Sequence, residues 1–306
     1  MKIGLYYFLK RLAYTLPDPI VFRLRFLWKH SYWPNLSAPR SLTEKILWLM
    51  AWDSNPLRAK VADRIKVREF VHELAPSCKS PKQLWSGDSL TADIWNGLPK
   101  EFVLKANHGS HMTYIVDKQQ DTIDEIVKMS GTWLTKDYSL NFGEWVYQNI
   151  PRVLIAEEKL DIEGKIPPDW KFFCANGKVF LVMLNTDRDE TSEYDTFYLP
   201  DFTRLPNLSM DYDYRQTPDV DEPSCFKDAI RIAEHLSAPF DFIRVDLYLI
   251  GPNVYFGEMT CFPSAGSDAI KPINLDFEFG SQIKLDKSFV NLVPRSIWIN
   301  PPERLI

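Results

Sequence analysis

The sequence predicts an α+β protein of two or three subdomains around a shared cleft, and three observations carry that expectation. Short runs of apolar–polar alternation between residues 101 and 260 mark strands, several joined by tight turns. Helical periodicity is segregated to residues 41–75, 121–135 and 226–237. At 306 residues, the chain is longer than one small core can organise. Neither a G-x-G-x-x-G nor a Walker A pattern occurs, and the order of elements does not suit a doubly wound parallel sheet.

In chain order, residues 5–16 (LYYFLKRLAYTL) are apolar and aromatic around Lys10 and Arg11, and Arg23, Arg25 and Lys29 follow. Charge interrupts the apolar run and no small-residue cleavage site follows, which argues against a secretory signal. Two readings stay open for residues 5–29. One is a terminal helix packing its aromatic face on the body; the other is an interfacial helix at an anionic membrane surface. No apolar run approaches the roughly 18 residues of a membrane span.

Ser41 with Glu44 forms a capping-box pattern, and Ile46, Leu49 and Met50 open a helical periodicity. It resumes after Asn55-Pro56 through Val61, Ile65, Val67, Phe70, Val71 and Leu74. Residues 76–100 are turn-rich and read as a junction. Strands are expected at Phe102–Lys105, Tyr114–Val116, Val153–Glu157, Trp170–Ala175, Val179–Leu184, Thr196–Leu199, Phe242–Leu249 and Val254–Glu258. Asn176-Gly177 is a type I′ hairpin signal, and Gly251-Pro252-Asn253 a second hairpin turn. The tail from Pro294 to Pro302 reads as a surface strap.

A net charge of −5 argues against a nucleic-acid binder, whose footprint would be basic. The four cysteines form no C-x-x-C pair, so free thiols in a reducing, cytoplasmic compartment are expected.

The most informative residues are Arg244-Val-Asp246 and Glu258-Met-Thr260 on the arms of the 242–258 hairpin. Alternation puts Arg244 and Asp246 on one face, where Glu258 can join them. Paired carboxylates repel unless a positive group separates them, and hard oxygen donors suit Mg²⁺ bridging phosphates. A solvated face with Arg244 pairing both acids fits equally well. Lys105 leaves a strand into Ala-Asn-His-Gly-Ser-His, an arrangement that presents a cation and backbone N–H groups to phosphates. His108 and His111 have the i, i+3 spacing of metal ligands but no third partner, which favours loop packing or phosphate contact. The strand Val153–Leu160 ends in Glu157-Glu158-Lys159, where backbone groups could meet an adenine edge.

In this order the motifs SLTEKILWLMAWDSNPL, VADRIKVREFV, EFVLKANHGS, RVLIAEEKL, DWKFFCANGKV, FIRVDLY and YFGEMT resemble the ATP-grasp superfamily, specifically its TupA-like (teichuronopeptide biosynthesis) branch, over residues 35–285. The resemblance implies a helical extension over 1–34, an amino-terminal α/β lobe over 35–98, and a central lid over 99–165. A carboxy-terminal antiparallel sheet domain over 166–285 and a tail over 286–306 complete the chain, with ATP clasped between lid and sheet domain.

It implies that Lys105 holds the ATP phosphates under a loop including His108, Gly109 and Ser110. Glu157, Lys159 and Leu160 then form the adenine hinge, Asp169 meets the ribose, and Lys171 points at phosphate or acyl group. Asp246 and Glu258 correspond to magnesium ligands, with Thr260 where an Asn is usual. Arg244 stabilises the transferring phosphoryl group, Arg188 meets substrate or γ-phosphate, and the turn containing Ser264 and Gly266 binds substrate. Asp63 and Arg68 read as structural.

The implied reaction is phosphorylation of a carboxylate by ATP with Mg²⁺, then attack of an amine on the acyl phosphate. The branch suggests a glycan uronic acid as the carboxylate, with Trp145, Tyr147, Trp170, Tyr194, Phe197 and Tyr198 as core or sugar-stacking residues. A sugar kinase using the same site and a non-catalytic glycan-binding scaffold are the competing readings. An amine requirement separates the ligase from the first, and Mg²⁺-dependent ATP binding from the second.

Overall fold

The computed structural model describes residues 16–162, 164–186, 194–210, 216–217 and 219–291. The amino-terminal helices are α1 (Asp18–His30), α2 (Leu42–Trp52), α3 (Pro56–Ala62) and α4 (Val67–Leu74). Ser41 and Glu44 make the full reciprocal capping box on α2. Asn55 caps α3, where Pro56 supplies a preset first turn. The one helical stretch expected over 41–75 is therefore three helices, broken at positions with their own capping chemistry.

An antiparallel four-stranded sheet follows, ordered β1–β4–β2–β3, from β1 (Gln83–Gly87), β2 (Glu101–Ala106), β3 (Thr113–Asp117) and β4 (Leu154–Glu157). The junction expected over 76–100 thus supplies an edge strand, β1, and the short helix α5 (Ala92–Gly97). Helix α6 (Ile123–Leu134), capped by Thr122 and Glu125, lies against β2, and the single turn α7 (Ser139–Phe142) follows it. Phe102, Leu104, Val116, Ile126, Trp133 and Ala156 form a core belonging to this sheet, and Leu90 and Leu98 join it. Residues before 99 thus contribute a strand and two core side chains to this sheet.

A second antiparallel sheet is ordered β10–β9–β5–β6–β7. Its strands are β5 (Asp169–Ala175), β6 (Lys178–Thr186), β7 (Tyr194–Tyr198), β9 (Phe242–Ile250) and β10 (Asn253–Thr260), with the small strand β8 (Ser209–Met210) pairing β11 (Ile270–Lys271) elsewhere. Asn176 and Gly177 both have positive φ (48° and 77°), as the β5–β6 type I′ turn demands. One face of the sheet packs on α8 (Phe226–Ser237) through Phe172, Val245 and Phe226. This core is continuous with the amino-terminal helices, whereas the four-stranded sheet has its own.

A buried ion triad ties the two parts of that body together. The Arg58 guanidinium on α3 pairs with Asp53 and Asp241 and donates to the Phe242 carbonyl at 2.7 Å. Burial alone would depress its pKa, but the two carboxylates outweigh burial and raise it. Arg58→Ala would strand two buried carboxylates; we expect a loss of about 3–5 kcal/mol in unfolding free energy, measured by urea denaturation.

Candidate functional site

The polar face of the five-stranded sheet looks across a cleft to the end of β2 and β4. A narrow cavity of about 30 Å³ lies there, lined from the lobe by Val61, Ala62, Arg64, Val67 and Arg68, and from the lid by Lys105, Tyr147 and Glu157. Ser80, Pro81 and the run Phe256–Met259 close it.

Strand register assembles the sheet side. Lys171 lies beside Asp246, Asp246 opposite Glu258, and Arg244 opposite Thr260. A β-bulge makes this possible: Phe256 pairs Leu247, Gly257 is skipped, and Glu258 pairs Asp246. In an unbroken strand Phe256 and Glu258 would share a face; the extra residue keeps Phe256 opposite Leu247 and turns Glu258 to the side of Asp246. Gly257 is required there, because a Cβ would stand 2.9 Å from the Asp246 carbonyl oxygen.

Asp246 is 1% exposed. It accepts from Arg244 Nε at 2.7 Å and Nη2 at 2.6 Å, and from Lys171 Nζ at 3.0 Å. Burial raises its pKa, but Arg244 and Lys171 outweigh burial and hold the carboxyl below its ordinary range. Lys171 is also paired with Asp169, and these two acids overcome burial to raise the ammonium pKa. Arg244 Nη2 donates to Thr260 Oγ1 at 3.0 Å and lies 3.5 Å from Glu258, while the Thr260 hydroxyl donates to Glu258 at 3.1 Å. The Glu258 side chain is 40% exposed to the cleft.

On the lid side Lys105 Nζ is 2.6 Å from Glu157, which also accepts from Arg68 Nη2 at 2.5 Å. Burial pushes the Glu157 pKa up, but Lys105 and Arg68 bring it below its ordinary value. Arg68 was expected to be structural, yet it lines the cleft. Arg64, which lies within VADRIKVREFV but has no expected role there, bridges both sides. Its Nη1 donates to the carbonyls of Ala106 (2.6 Å) and Gly109, and its Nη2 is 3.7 Å from Glu258.

Several expected residues lie elsewhere. His108 is buried, with Nε2 at 3.2 Å from the carbonyls of both Trp133 and Lys136, so it closes the end of α6 and does not face phosphate. Burial also lowers its pKa. Gly109 packs under the Tyr138 ring, which a Cβ would meet at 2.6 Å. Ser110 borders the same tyrosine. Lys159 pairs with Glu101 at 3.2 Å, away from the cleft lining, and Leu160 is half-buried beyond β4. Gly266 presses against Leu47 and Ile46 of α2 with φ 65°, leaving Ser264, which donates to Asp268, as the exposed part of that turn. Trp145, Trp170, Phe197 and Tyr198 are core. Arg188 lies outside the described residues.

Among the described residues no cluster of three His, Cys, Asp or Glu side chains suits a metal by itself. Two carboxylates and a hydroxyl at the open end of the sheet nevertheless fit Mg²⁺, which takes one or two protein carboxylates and completes its shell with phosphate and water.

A separately cored antiparallel lid over a sheet with paired acids and interleaved cations defines the ATP-grasp fold. The chain belongs to the TupA-like ATPgrasp family, which matches residues 44–284. Among solved structures it resembles D-alanine–D-alanine ligase from Helicobacter pylori, with 11% identity, a TM-score of 0.45, and coverage of 80% of this chain and 69% of that one. The Bacillus anthracis D-alanine–D-alanine ligase complexed with ATP gives 12%, 0.40, 69% and 57%. The N5-carboxyaminoimidazole ribonucleotide synthetase of Thermus thermophilus gives 13%, 0.36, 71% and 47%. The alignment thus spans only 57% of the Bacillus enzyme's length. No curated protein matches.

Two outcomes follow from this geometry. Gly257→Ala should cost about 1–3 kcal/mol, because the new methyl meets backbone rather than a flexible side chain; urea midpoints measure this. Glu144, near Arg25, Glu258 and Arg244, is buried, and burial pushes its carboxyl from 4.5 to about 8. Between those values the unfolded chain has released a proton that the folded chain retains, so this group makes stability fall as pH rises. Glu144→Gln should flatten the stability profile across that window, read from urea midpoints at successive pH values.

Proposed function

We propose that this protein is an ATP-dependent carboxylate–amine ligase, joining an amino acid or other amine to a uronic acid of a surface polysaccharide or its precursor. One observation carries the reading: Asp246 and Glu258 pair across β9 and β10 with Lys171 and Arg244 between and beside them, opposite Lys105 and Glu157. Val61, Ala62, Phe256 and Met259 supply apolar walls suited to a purine, and Glu157 a carboxylate suited to its exocyclic amine. Asp246, Glu258 and Thr260 would hold Mg²⁺. When bound, the ion offsets phosphate charge.

The protein's own part is electrostatic. Transfer of the γ-phosphoryl group to a carboxylate brings two anions together, and Lys105, Lys171, Arg244 and Arg188 are assigned to neutralise that repulsion. The bond from the β–γ bridging oxygen to phosphorus breaks as a carboxylate oxygen bonds phosphorus, giving ADP and an acyl phosphate. An amine then displaces phosphate, the departing phosphate takes up the amine's proton, and the amide forms. Water would hydrolyse the intermediate, a reason for a lid whose loop after Lys105 is tied down by Arg64. The uronic acid assignment rests on the branch resemblance, and use of ATP favours a cytoplasmic site of action. Ser264 is the proposed acceptor contact.

Calorimetry with a non-hydrolysable ATP analogue tests the site. Wild type should bind in the micromolar range with Mg²⁺ and more weakly without it. Glu258→Gln should lose at least about tenfold, or roughly 1.4 kcal/mol. ADP release that requires both a uronic acid and an amine would then separate ligase from kinase. Absence of Mg²⁺-dependent binding in wild type overturns the reading.

A further inference from the structure

Helix α1 has two apolar faces, and only one is covered. Val21, Phe22 and Phe26 are buried against the body. Ile20, Leu24, Leu27 and Trp28 recur at i, i+4, i+7 and i+8 on the opposite side, and all are exposed, Trp28 by 83%. Trp33, 56% exposed, lies just past the helix end. Five of the thirteen large apolar side chains exposed among the described residues therefore fall within residues 20–33. Scattered exposure of this kind is ordinary; a strip along one helix face is not.

Charge identifies what would cover it. Residues 1–43 contain seven Lys or Arg and a single acid, Asp18, for a net of +6. The remaining 263 residues carry 29 basic against 40 acidic side chains, a net of −11. Asp18 is buried. A second copy docking through the same face would set this basic segment against itself, since a two-fold interface repeats one patch on both sides. A surface that is apolar just below an anionic layer matches both properties. Tryptophan favours that boundary, and clustered basic residues are drawn to acidic headgroups.

We propose that the outward face of α1, with Trp33, docks the protein on an anionic lipid bilayer. The contact is peripheral: among the described residues no helix is long and apolar enough to cross a membrane. Arg25 holds the helix against the body, donating to the Phe142 carbonyl at 3.0 Å and lying 3.4 Å from Ser267 Oγ. The docking face is thus fixed near the Pro263–Gly266 turn. On the ligase reading, this brings the acceptor end of the cleft to the lipid surface; the lipid contact itself does not depend on that reading.

Sedimentation of the full chain with vesicles tests the proposal. We expect pelleting with phosphatidylcholine vesicles containing phosphatidylglycerol, little with phosphatidylcholine alone, and release as salt rises from about 0.1 to about 1 M, where the Debye length shrinks from about 10 to about 3 Å. The double variant Leu24→Glu, Trp28→Glu should lower the partition coefficient at least roughly tenfold with an unchanged thermal midpoint. Arg23→Glu, which leaves the apolar strip intact, should weaken binding at low salt. No pelleting of wild type with acidic vesicles overturns the proposal. So does equal pelleting of the double variant, or a wild-type dimer abolished by it without any vesicle binding.

Discussion

Asp246 is a carboxylate on β9, next to the edge strand of a five-stranded sheet, and is almost wholly removed from water. Alone there it would cost several kcal/mol or take up a proton. It stays charged because Arg244, two residues away on β9, grips both its oxygens and Lys171 reaches it from β5. Those cations would be as costly as the acid if unpaired, and Asp169, Glu258 and Thr260 complete their shells. The sheet's register follows from this set. A one-residue slip of β5 against β9 would send Lys171 to the apolar face beneath α8 and bring Phe172 to the acids. Hydrophobic alternation and ion pairing thus demand the same alignment, which is how buried charge specifies a structure without adding much to its stability.

The same economy shapes the cleft. Lobe and sheet domain share a core sealed by Arg58, whereas the lid encloses its own apolar cluster. Polar links span the gap: Arg68 to Glu157, and Arg64 from the lid loop carbonyls toward Glu258. Such links can be exchanged for a ligand's groups at modest cost, whereas a shared apolar core would have to be torn open. Arg64, between α3 and α4, and Arg68, in the first turn of α4, therefore carry the polar links between the two sheets.

Much of this was legible locally. Ser41 with Glu44 and the Asn176-Gly177 turn act through neighbours in sequence, and alternation in FIRVDLY suffices to place Arg244 beside Asp246. The bulge was not legible, because Gly257 is demanded by a carbonyl on another strand. Arg64 and Arg68 reach partners about 40 and 90 residues away in the chain, so helical periodicity assigned them only to a helix. The packing of His108 was hidden for a related reason. A histidine in a polar loop beside a glycine suggests ligand contact, yet α6 ends with carbonyls needing a donor, and that need appears only once the lid is folded. Strand β1 is five residues among turn formers, too short to show a period.

The cleft and the sheet face beside it hold Arg64, Arg68, Lys105, Lys171 and Arg244 against Glu157, Asp169, Asp246 and Glu258, a near-balance of charge with each cation already paired. A nucleotide entering such a site meets cations that must release acids before they can hold phosphates. Phosphates arriving alone would leave Asp246 and Glu258 facing added negative charge. A divalent ion arriving alone would crowd Arg244 and Lys171. On the ligase reading, joint arrival would let the cations turn to phosphate while the acids turn to metal, conserving the number of opposite-charge contacts. On the ligase reading, this exchange also explains why no spare base is needed: the cations released from the acids are the groups that let a phosphoryl anion approach a carboxylate, and the restored pairs return the site to rest when product leaves.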